Sequence, residues 1–220
     1  MEELNCKIMF TIPVGDGLPI YESVVVTWIV MAVLVLISII LVRNLKVENP
    51  GKKQLALEAG YLFFRNFFYN LLGEHGARYI PYMITIVLYI GLANIMGVFG
   101  FVPPTKDMGV TIALALMSII LIEYSGIHQK GTKGWLKSFA EPIPIMLPIN
   151  ILEIGIRPLS LCMRLFGNVL GSYVVMKLVE IICPILLPVP FNLYFDFFDG
   201  FIQAYVFVFL TSLFISEAVE

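Results

Sequence analysis

"EIGIRPLSLCMRLFGNVLGSY" at residues 153–173 places charged side chains inside one of the most apolar regions of the chain. Polar residues in and just before this segment recur at intervals of 3, 4, 3, 4 and 4 positions: Asn150, Glu153, Arg157, Ser160, Arg164 and Asn168. This is the spacing of neighbours on one face of an α-helix. The sequence therefore predicts a helix with a polar stripe and an otherwise apolar surface.

The chain as a whole is strongly apolar. Of its 220 residues, 59% are hydrophobic and 14% are charged, and the mean hydropathy is +0.91, whereas soluble domains are about 45–50% apolar and about 25% charged. This composition predicts an integral membrane protein in contact with lipid. The formal net charge of −2 argues against nucleic-acid binding. The cysteines and histidines are too scattered to indicate a metal site, and no cofactor is expected.

Apolar runs and their interruptions predict an all-α integral membrane protein with a single membrane domain over residues 1–220. A transmembrane helix is expected at 24–42, after an external N-terminus at 1–23, because about 20 apolar residues span a bilayer. The next apolar segment contains charged residues, which favours an amphipathic helix at the interface, with a tilted span as the alternative. The remaining predicted elements are the interfacial helix at 54–73, a transmembrane hairpin at 80–102 and 110–127, and two long, steeply tilted membrane helices at 142–182 and 191–219.

Basic residues follow the first span and the second arm of the hairpin. The two clusters are Arg43, Lys46, Lys52 and Lys53, and Lys130, Lys133 and Lys137. Loops rich in lysine and arginine stay on the cytoplasmic side of a membrane. Both clusters then predict the same topology, with the N-terminus outside and the C-terminus in the cytoplasm.

Arg164 has no acidic neighbour on its own predicted helix, since no carboxylate lies three or four residues away. A charge at the centre of a bilayer costs about 2.5–3.5 kcal/mol on insertion scales. Its partner is therefore expected elsewhere in the fold or on another protein. Glu153 and Arg157 are four residues apart and can neutralise one another, so a structural ion pair and a functional role both stay open for them.

The last apolar segment carries a second set of polar groups. Asp196, Asp199 and Gln203 are separated by 3 and 4 positions, which again places them on one face of a helix. Two antiparallel helices would bring this face beside the stripe of residues 150–168. The alternative is that Asp196 and Asp199 lie in an external loop.

The segment "RPLSLCMRLFGNVLGSY" resembles a motif of subunit a of the F-type ATP synthase, in which the second arginine, here Arg164, is essential. The resemblance extends from about residue 22 to the end of the chain, through "PGKKQLALE", "ANIMGVFGFVPP", "DMGVTIALAL" and "FIQAYVFVFLTSLFISEA". It places Asp107 on the family's aspartate and Gln203 on its glutamine. Further matches to the arginine motif are Arg157, Pro158, Ser160 and Gly167.

The chain departs from the family pattern at two positions. Tyr173 stands where some members have a carboxylate, and Asp196 stands where some have a histidine, so either residue could replace the usual titratable group of the outer channel. Glu153 matches the inner-channel glutamate of the family only loosely.

The resemblance implies a stator subunit without an active site of its own. Its expected partners are the rotating c-ring, against which the two tilted helices pack, and the b subunits of the peripheral stalk, in a bacterial plasma membrane. Two offset half-channels would carry H⁺ or Na⁺ past Arg164 and couple its movement to ATP synthesis. The candidates for the outer half-channel are Asn168, Gln203, Asp196 and Asp107, and those for the inner one are Glu153 and Asn150.

Two other classes of membrane protein fit the sequence less well. A self-contained channel or secondary transporter is typically built from internal repeats or broken helices, and the sequence contains no recognisable repeat. A membrane-embedded hydrolase needs a nucleophile and a base, and neither GxSxG nor HExxH occurs.

Overall fold

The computed structural model describes residues 8–12, 18–43, 45–46, 51–99, 103–138, 147–183 and 188–219. Its strands are β1 (Ile8–Ile12) and β2 (Leu18–Tyr21). Its α-helices are α1 (Glu22–Val42), α2 (Lys52–Gly76), α3 (Ile80–Ile95), α4 (Met108–Ser138), α5 (Leu147–Ile182), α6 (Pro188–Leu193) and α7 (Gly200–Val219). Short 3₁₀ turns lie at Ala77–Tyr79, Met96–Phe99 and Pro104–Lys106, and a π-helical turn occupies Tyr194–Asp199.

The predicted class, an all-α integral membrane protein, is confirmed. Within the part of the chain that the structure describes, five helical segments are long and apolar enough to cross a membrane: Glu22–Val42, Lys52–Ile95, Met108–Ser138, Leu147–Ile182 and Pro190–Val219. The antiparallel pair of β1 and β2, just before α1, was not predicted.

Two helices continue through a kink at a glycine. Gly73 in α2 has φ 66° and Gly131 in α4 has φ 72°, a backbone region that glycine enters without the steric cost met by other residues. The kink in α4 lets the helix run to Ser138, whereas its apolar pattern predicted a span at 110–127. The kink at Gly73 lies close to the C-terminal end of α2. The sequence predicted this helix at 54–73.

Helix α7 is central to the packing. It contacts α2, α3 and α4, whereas α5 lies mainly against α4. Phe207, Val208 and Ile215 of α7 are buried in the same core as Ile90 of α3 and Ile122 of α4. This packing fixes α7 while most of the α5 surface stays uncovered.

Helix α2 also packs on α7. Phe68 and Leu72 are buried, and the ring of Phe67 lies 5.7 Å from that of Tyr205. The apolar face of α2 is thus partly covered by protein, and its place at the membrane interface stays a prediction.

Candidate functional site

The polar stripe lies on a single helix. Helix α5 includes all six predicted stripe residues, from Asn150 to Asn168, and continues through Pro158. Proline lacks the amide hydrogen of a normal helical residue, yet the helix continues on both sides of Pro158. The spacing read from the sequence therefore corresponds to one face of α5.

Arg164 is exposed near the middle of α5. Its guanidinium forms no hydrogen bond or ion pair with any residue that the structure describes. Residues on the same face are small and also exposed: Ser160, Gly167 and Gly171. A Cβ atom added at Gly167 or Gly171 would meet no atom within 4 Å. Small, exposed residues therefore surround Arg164 on this face and permit the close approach of another helix.

Arg157, two helical turns away, has very different surroundings. Its Nη2 donates to Glu153 Oε2 at 3.2 Å and to Glu217 Oε1 at 2.9 Å. The side chain of Arg157 is only 13% exposed, while those of Glu153 and Glu217 are 49% and 57% exposed. Its guanidinium carbon lies 5.0 Å from the centre of the Phe214 ring. Arg157 is thus neutralised within this chain, and its partner Glu217 was not predicted from the sequence.

One cavity, here the Gln203 cavity, lies beyond Arg164 toward the C-terminal end of α5. Its volume is about 240 Å³, and its polar lining includes Asn94, Lys106, Ser172, Tyr173, Asp199 and Gln203. Gln203 Nε2 donates to Asp199 Oδ1 at 3.3 Å. Gln203 Oε1 is buried and has no hydrogen-bond donor among the described residues. Gln203 thus has a buried amide oxygen whose hydrogen-bonding capacity the described residues leave unused.

A buried hydrogen-bond network supports this cavity. Asn94 Nδ2 donates to the backbone oxygen of Gly200 at 3.1 Å, and Asn94 Oδ1 accepts from Thr105 Oγ1 at 2.7 Å. A Cβ atom at position 200 would lie 2.7 Å from Asn94 Cβ, so only glycine fits there. The network joins the start of α7 to α3 just before Gln203.

A second cavity, here the Arg157 cavity, lies on the other side of Arg164 along α5. Its volume is about 260 Å³, and its lining includes Glu123, Trp135, Asn150, Glu153, Arg157 and Glu217. Trp135 Nε1 donates to Glu123 Oε2 at 3.0 Å. The kink at Gly131 makes this contact possible, because it turns the end of α4 back toward the rest of the helix. Helices α4, α5 and α7 each contribute one carboxylate to the cavity.

The structure divides the predicted site residues into separate groups. Asn150 and Glu153 line the Arg157 cavity, and Gln203 lines the other. Asn168 is half-buried one turn beyond Arg164. Asp196 belongs to the π-helical turn, but its side chain lies outside what the structure describes.

Asp107 does not line the Gln203 cavity, although its neighbour Lys106 does. One carboxylate oxygen accepts from Ser23 Oγ at 2.5 Å, and the other accepts from the amide of Gly109 at 2.8 Å. These bonds tie α1 to the start of α4 and cap that helix. The contacts observed for Asp107 therefore hold helices together, and its membership of a channel stays a prediction.

Sequence reasoning missed two carboxylates, Glu123 and Glu217. Both stand in apolar helices without a charged residue three or four positions before them. Glu123 lies in the middle of α4, near the end of the span predicted at 110–127, and Glu217 lies in the last turn of α7. The only signal in the sequence was the cost of a charge in an apolar helix, which did not identify a partner.

Comparison with known proteins gives a consistent result. Residues 24–216 match the family of the ATP synthase A chain. The chain is 36% identical to ATP synthase subunit a of Moorella thermoacetica, across 92% of this chain and 93% of that protein. It is 31% identical to the protein named ATP synthase subunit a, sodium ion specific, of Propionigenium modestum, across 97% of this chain and 84% of that protein. It is 34% identical to ATP synthase subunit a 1 of Hahella chejuensis, across 92% and 86%. With a family match over most of its length and relatives of this similarity, the chain belongs to the ATP synthase A chain family.

Proposed function

We propose that this protein is the stator subunit of an F-type ATP synthase, in which Arg164 couples ion movement to rotation of a c-ring. The observation that carries the proposal is the exposed Arg164 guanidinium, which has no partner among the described residues and lies between two cavities. Membership of the family supports a place in the membrane sector of that complex.

The energetic argument starts from the position of Arg164. An unpaired charge inside a membrane is costly, and arginine does not avoid that cost by losing its proton. The open surface formed by Ser160, Gly167 and Gly171 leaves room for a helix from another subunit. A partner helix that brings a carboxylate to this surface would compensate the charge, and a c-ring subunit has the required chemistry.

Rotation follows from the two environments that such a carboxylate meets. Facing lipid, it must be neutral, by protonation or by a bound Na⁺, because an ionised carboxylate is too costly there. Facing Arg164, the ionised form is favoured by the nearby positive charge. The ion therefore leaves as the rotor carboxylate reaches Arg164, and another ion binds after the carboxylate has passed.

The two cavities are the proposed half-channels. The Gln203 cavity would be the outer one, with Asn168, Asp196 and Asp107 as further candidates. The Arg157 cavity, with Asn150 and Glu153, would be the inner one. In this assignment the N-terminus is outside and the C-terminus is in the cytoplasm.

Arg164 separates these half-channels along α5. The inner lining of α5 ends at Arg157 and the outer lining begins at Val169, which leaves about 18 Å of helix between them at 1.5 Å per residue. An ion cannot cross this distance without the rotor, so its passage requires rotation. A membrane potential supplies about 2.3 kcal/mol per charge and 100 mV to bias that rotation.

The transported ion is H⁺ or Na⁺. The Propionigenium modestum relative is named as sodium ion specific. Because this chain is 31% identical to it, Na⁺ is one of the two candidate ions. The c-ring and the b subunits of the peripheral stalk are the proposed partners.

The test is ATP-driven ion pumping by the purified complex in liposomes. Arg164→Ala should abolish pumping while the subunit still assembles, because no described contact depends on Arg164. Arg65→Ala, at an exposed position on α2 whose side chain bonds no described residue, is the control and should pump normally. Near-normal pumping by Arg164→Ala would refute the proposal.

The alternative, a self-contained channel or transporter, gives a different result. The purified chain alone in liposomes should then conduct ions down a gradient without any other subunit. The proposed stator should not, because its two cavities are connected only through the rotor.

A further inference from the structure

Helix α5 presents two permanent cations to the same side. Arg157 and Arg164 are seven residues apart, or about two turns and 10 Å along the axis. Both guanidinium groups stay protonated when buried. Charge and position on the helix would allow both arginines to attract an ionised rotor carboxylate. If the rotor carboxylate is to stop at a single place, only one of the two arginines can attract it.

The structure separates them by their ionic partners. Arg157 is bound by Glu153 from its own helix and by Glu217 from the last turn of α7, at 3.2 and 2.9 Å. Arg164 has neither kind of partner within the described part of the chain. Two carboxylates against one guanidinium leave a local charge of −1, which repels another carboxylate instead of attracting it.

Burial reinforces the difference. The Arg157 side chain is 13% exposed, and the Phe214 ring lies over its guanidinium. Both carboxylates are about half exposed, so the surface that a passing helix meets at this level is anionic. Glu123 and Lys130 line the same cavity and offset one another in charge.

We infer that Glu153 and Glu217 mask Arg157, so that the ionised carboxylate of the rotor stops at Arg164 and at no second arginine. The inference rests on the proposed function and assigns Glu217 as a residue that determines the stopping point. Without the mask, Arg157 would hold a carboxylate that has already released its ion, about 10 Å farther toward the inner side. Rotation would then be slowed at an unproductive position.

The test compares carboxylate removal with and without Arg157, in the assembled complex. Glu217→Gln should lower ATP-driven pumping by about fivefold, the size expected for loss of one partly exposed ion pair. Glu153→Gln combined with Glu217→Gln should lower it further. Adding Arg157→Gln to the Glu217→Gln variant, which keeps Glu153, should restore most of the lost rate, because the unmasked cation is then gone. Adding it to the double variant should restore only the part of the rate that does not depend on Glu153 in the inner half-channel.

Restoration of pumping by Arg157→Gln distinguishes masking from two simpler roles of Glu153 and Glu217, which are to relay ions or to hold α5 against α7. If they only relay ions or only clamp α5 to α7, removal of Arg157 cannot restore pumping, and failure of rescue would overturn the inference. Normal pumping by the Glu153→Gln, Glu217→Gln double variant would also overturn it. Glu74→Gln, an exposed position at the end of α2, is the matched control.

Two further measurements keep the outcomes separate. The amount of subunit in each purified complex shows whether a variant assembles; if the double variant does not, the single Glu217→Gln variant and its Arg157→Gln rescue decide the question. Arg164→Ala is measured in the same series. Normal pumping by Arg164→Ala would refute the proposed function itself. If Arg164→Ala blocks pumping while the Glu153→Gln, Glu217→Gln double variant pumps normally, only the masking of Arg157 is refuted.

Discussion

Helices α1 and α5 are equally exposed but expose different chemistry. In the most apolar stretch of each, 11% of the residues are buried within this chain. The exposed surface of α1 is aliphatic, as at Leu36 and Ile39, and contains no charged residue between 24 and 42. The exposed surface of α5 includes Arg164 and polar or small residues around it.

The difference shows that a helix surface exposed in an isolated subunit can face either lipid or another subunit. An aliphatic surface such as that of α1 is stable against lipid chains. A surface with an unpaired guanidinium is not, because the charge is costly there. Exposure therefore indicates a protein interface only when it is combined with a charge that this chain leaves uncompensated.

The largest effect on the amount of subunit in the membrane is expected when a charge is introduced on α1, and no effect is expected when the charge is removed from α5. Leu36→Arg would place a charge on the exposed aliphatic surface of α1. If that surface faces lipid, the charge costs about 2.5–3.5 kcal/mol, and the amount of subunit in the membrane should fall severalfold. Arg164→Leu should leave that amount unchanged, because it removes a charge that has no described partner. Quantitative detection of the subunit in membranes measures both.

Leu36→Met serves as the neutral control on α1. Equal accumulation of Leu36→Arg and Leu36→Met would show that α1 faces protein or water, and the comparison of the two helices would fail.

A smaller effect, on the rate of ATP-driven pumping, is expected from substitution of Gln203 in α7. Gln203→Leu removes the buried Oε1 acceptor and the bond to Asp199, and should lower ATP-driven pumping by about fivefold, the equivalent of about 1 kcal/mol for one hydrogen bond. Gln54→Leu, the same substitution at a half-buried position on α2 whose bonds to Lys46 and Glu58 lie outside both cavities, should leave the pumping rate unchanged. An unchanged rate for Gln203→Leu, or a loss as complete as that of Arg164→Ala, would contradict this role.

The local parts of the fold could be predicted from the sequence. The polar spacing from Asn150 to Asn168 specified one face of a helix because that face depends only on the helical period. The length of the apolar runs likewise indicated the membrane spans. Both properties are set by residues close together in the chain.

Features that depend on tertiary contacts could not be predicted in the same way. Glu217 meets Arg157 only because α7 returns beside α5, 60 residues later. Asp107 has the spacing of a helix cap, but its bond to Ser23 joins segments 84 residues apart. The π-helical turn at Tyr194–Asp199 interrupts the helix predicted at 191–219, next to the place where Asn94 binds the backbone of Gly200.

The most direct test of the central claim is a disulfide cross-link between α5 and the rotor. A cysteine at Gly167, exposed and one turn from Arg164 with open space around it, is paired in the assembled complex with a cysteine beside the rotor carboxylate; Leu36→Cys on α1 is the matched control. The account predicts that oxidation links the Gly167→Cys subunit to the rotor and leaves the Leu36→Cys subunit unlinked. A link from Leu36→Cys, with none from Gly167→Cys, would contradict it.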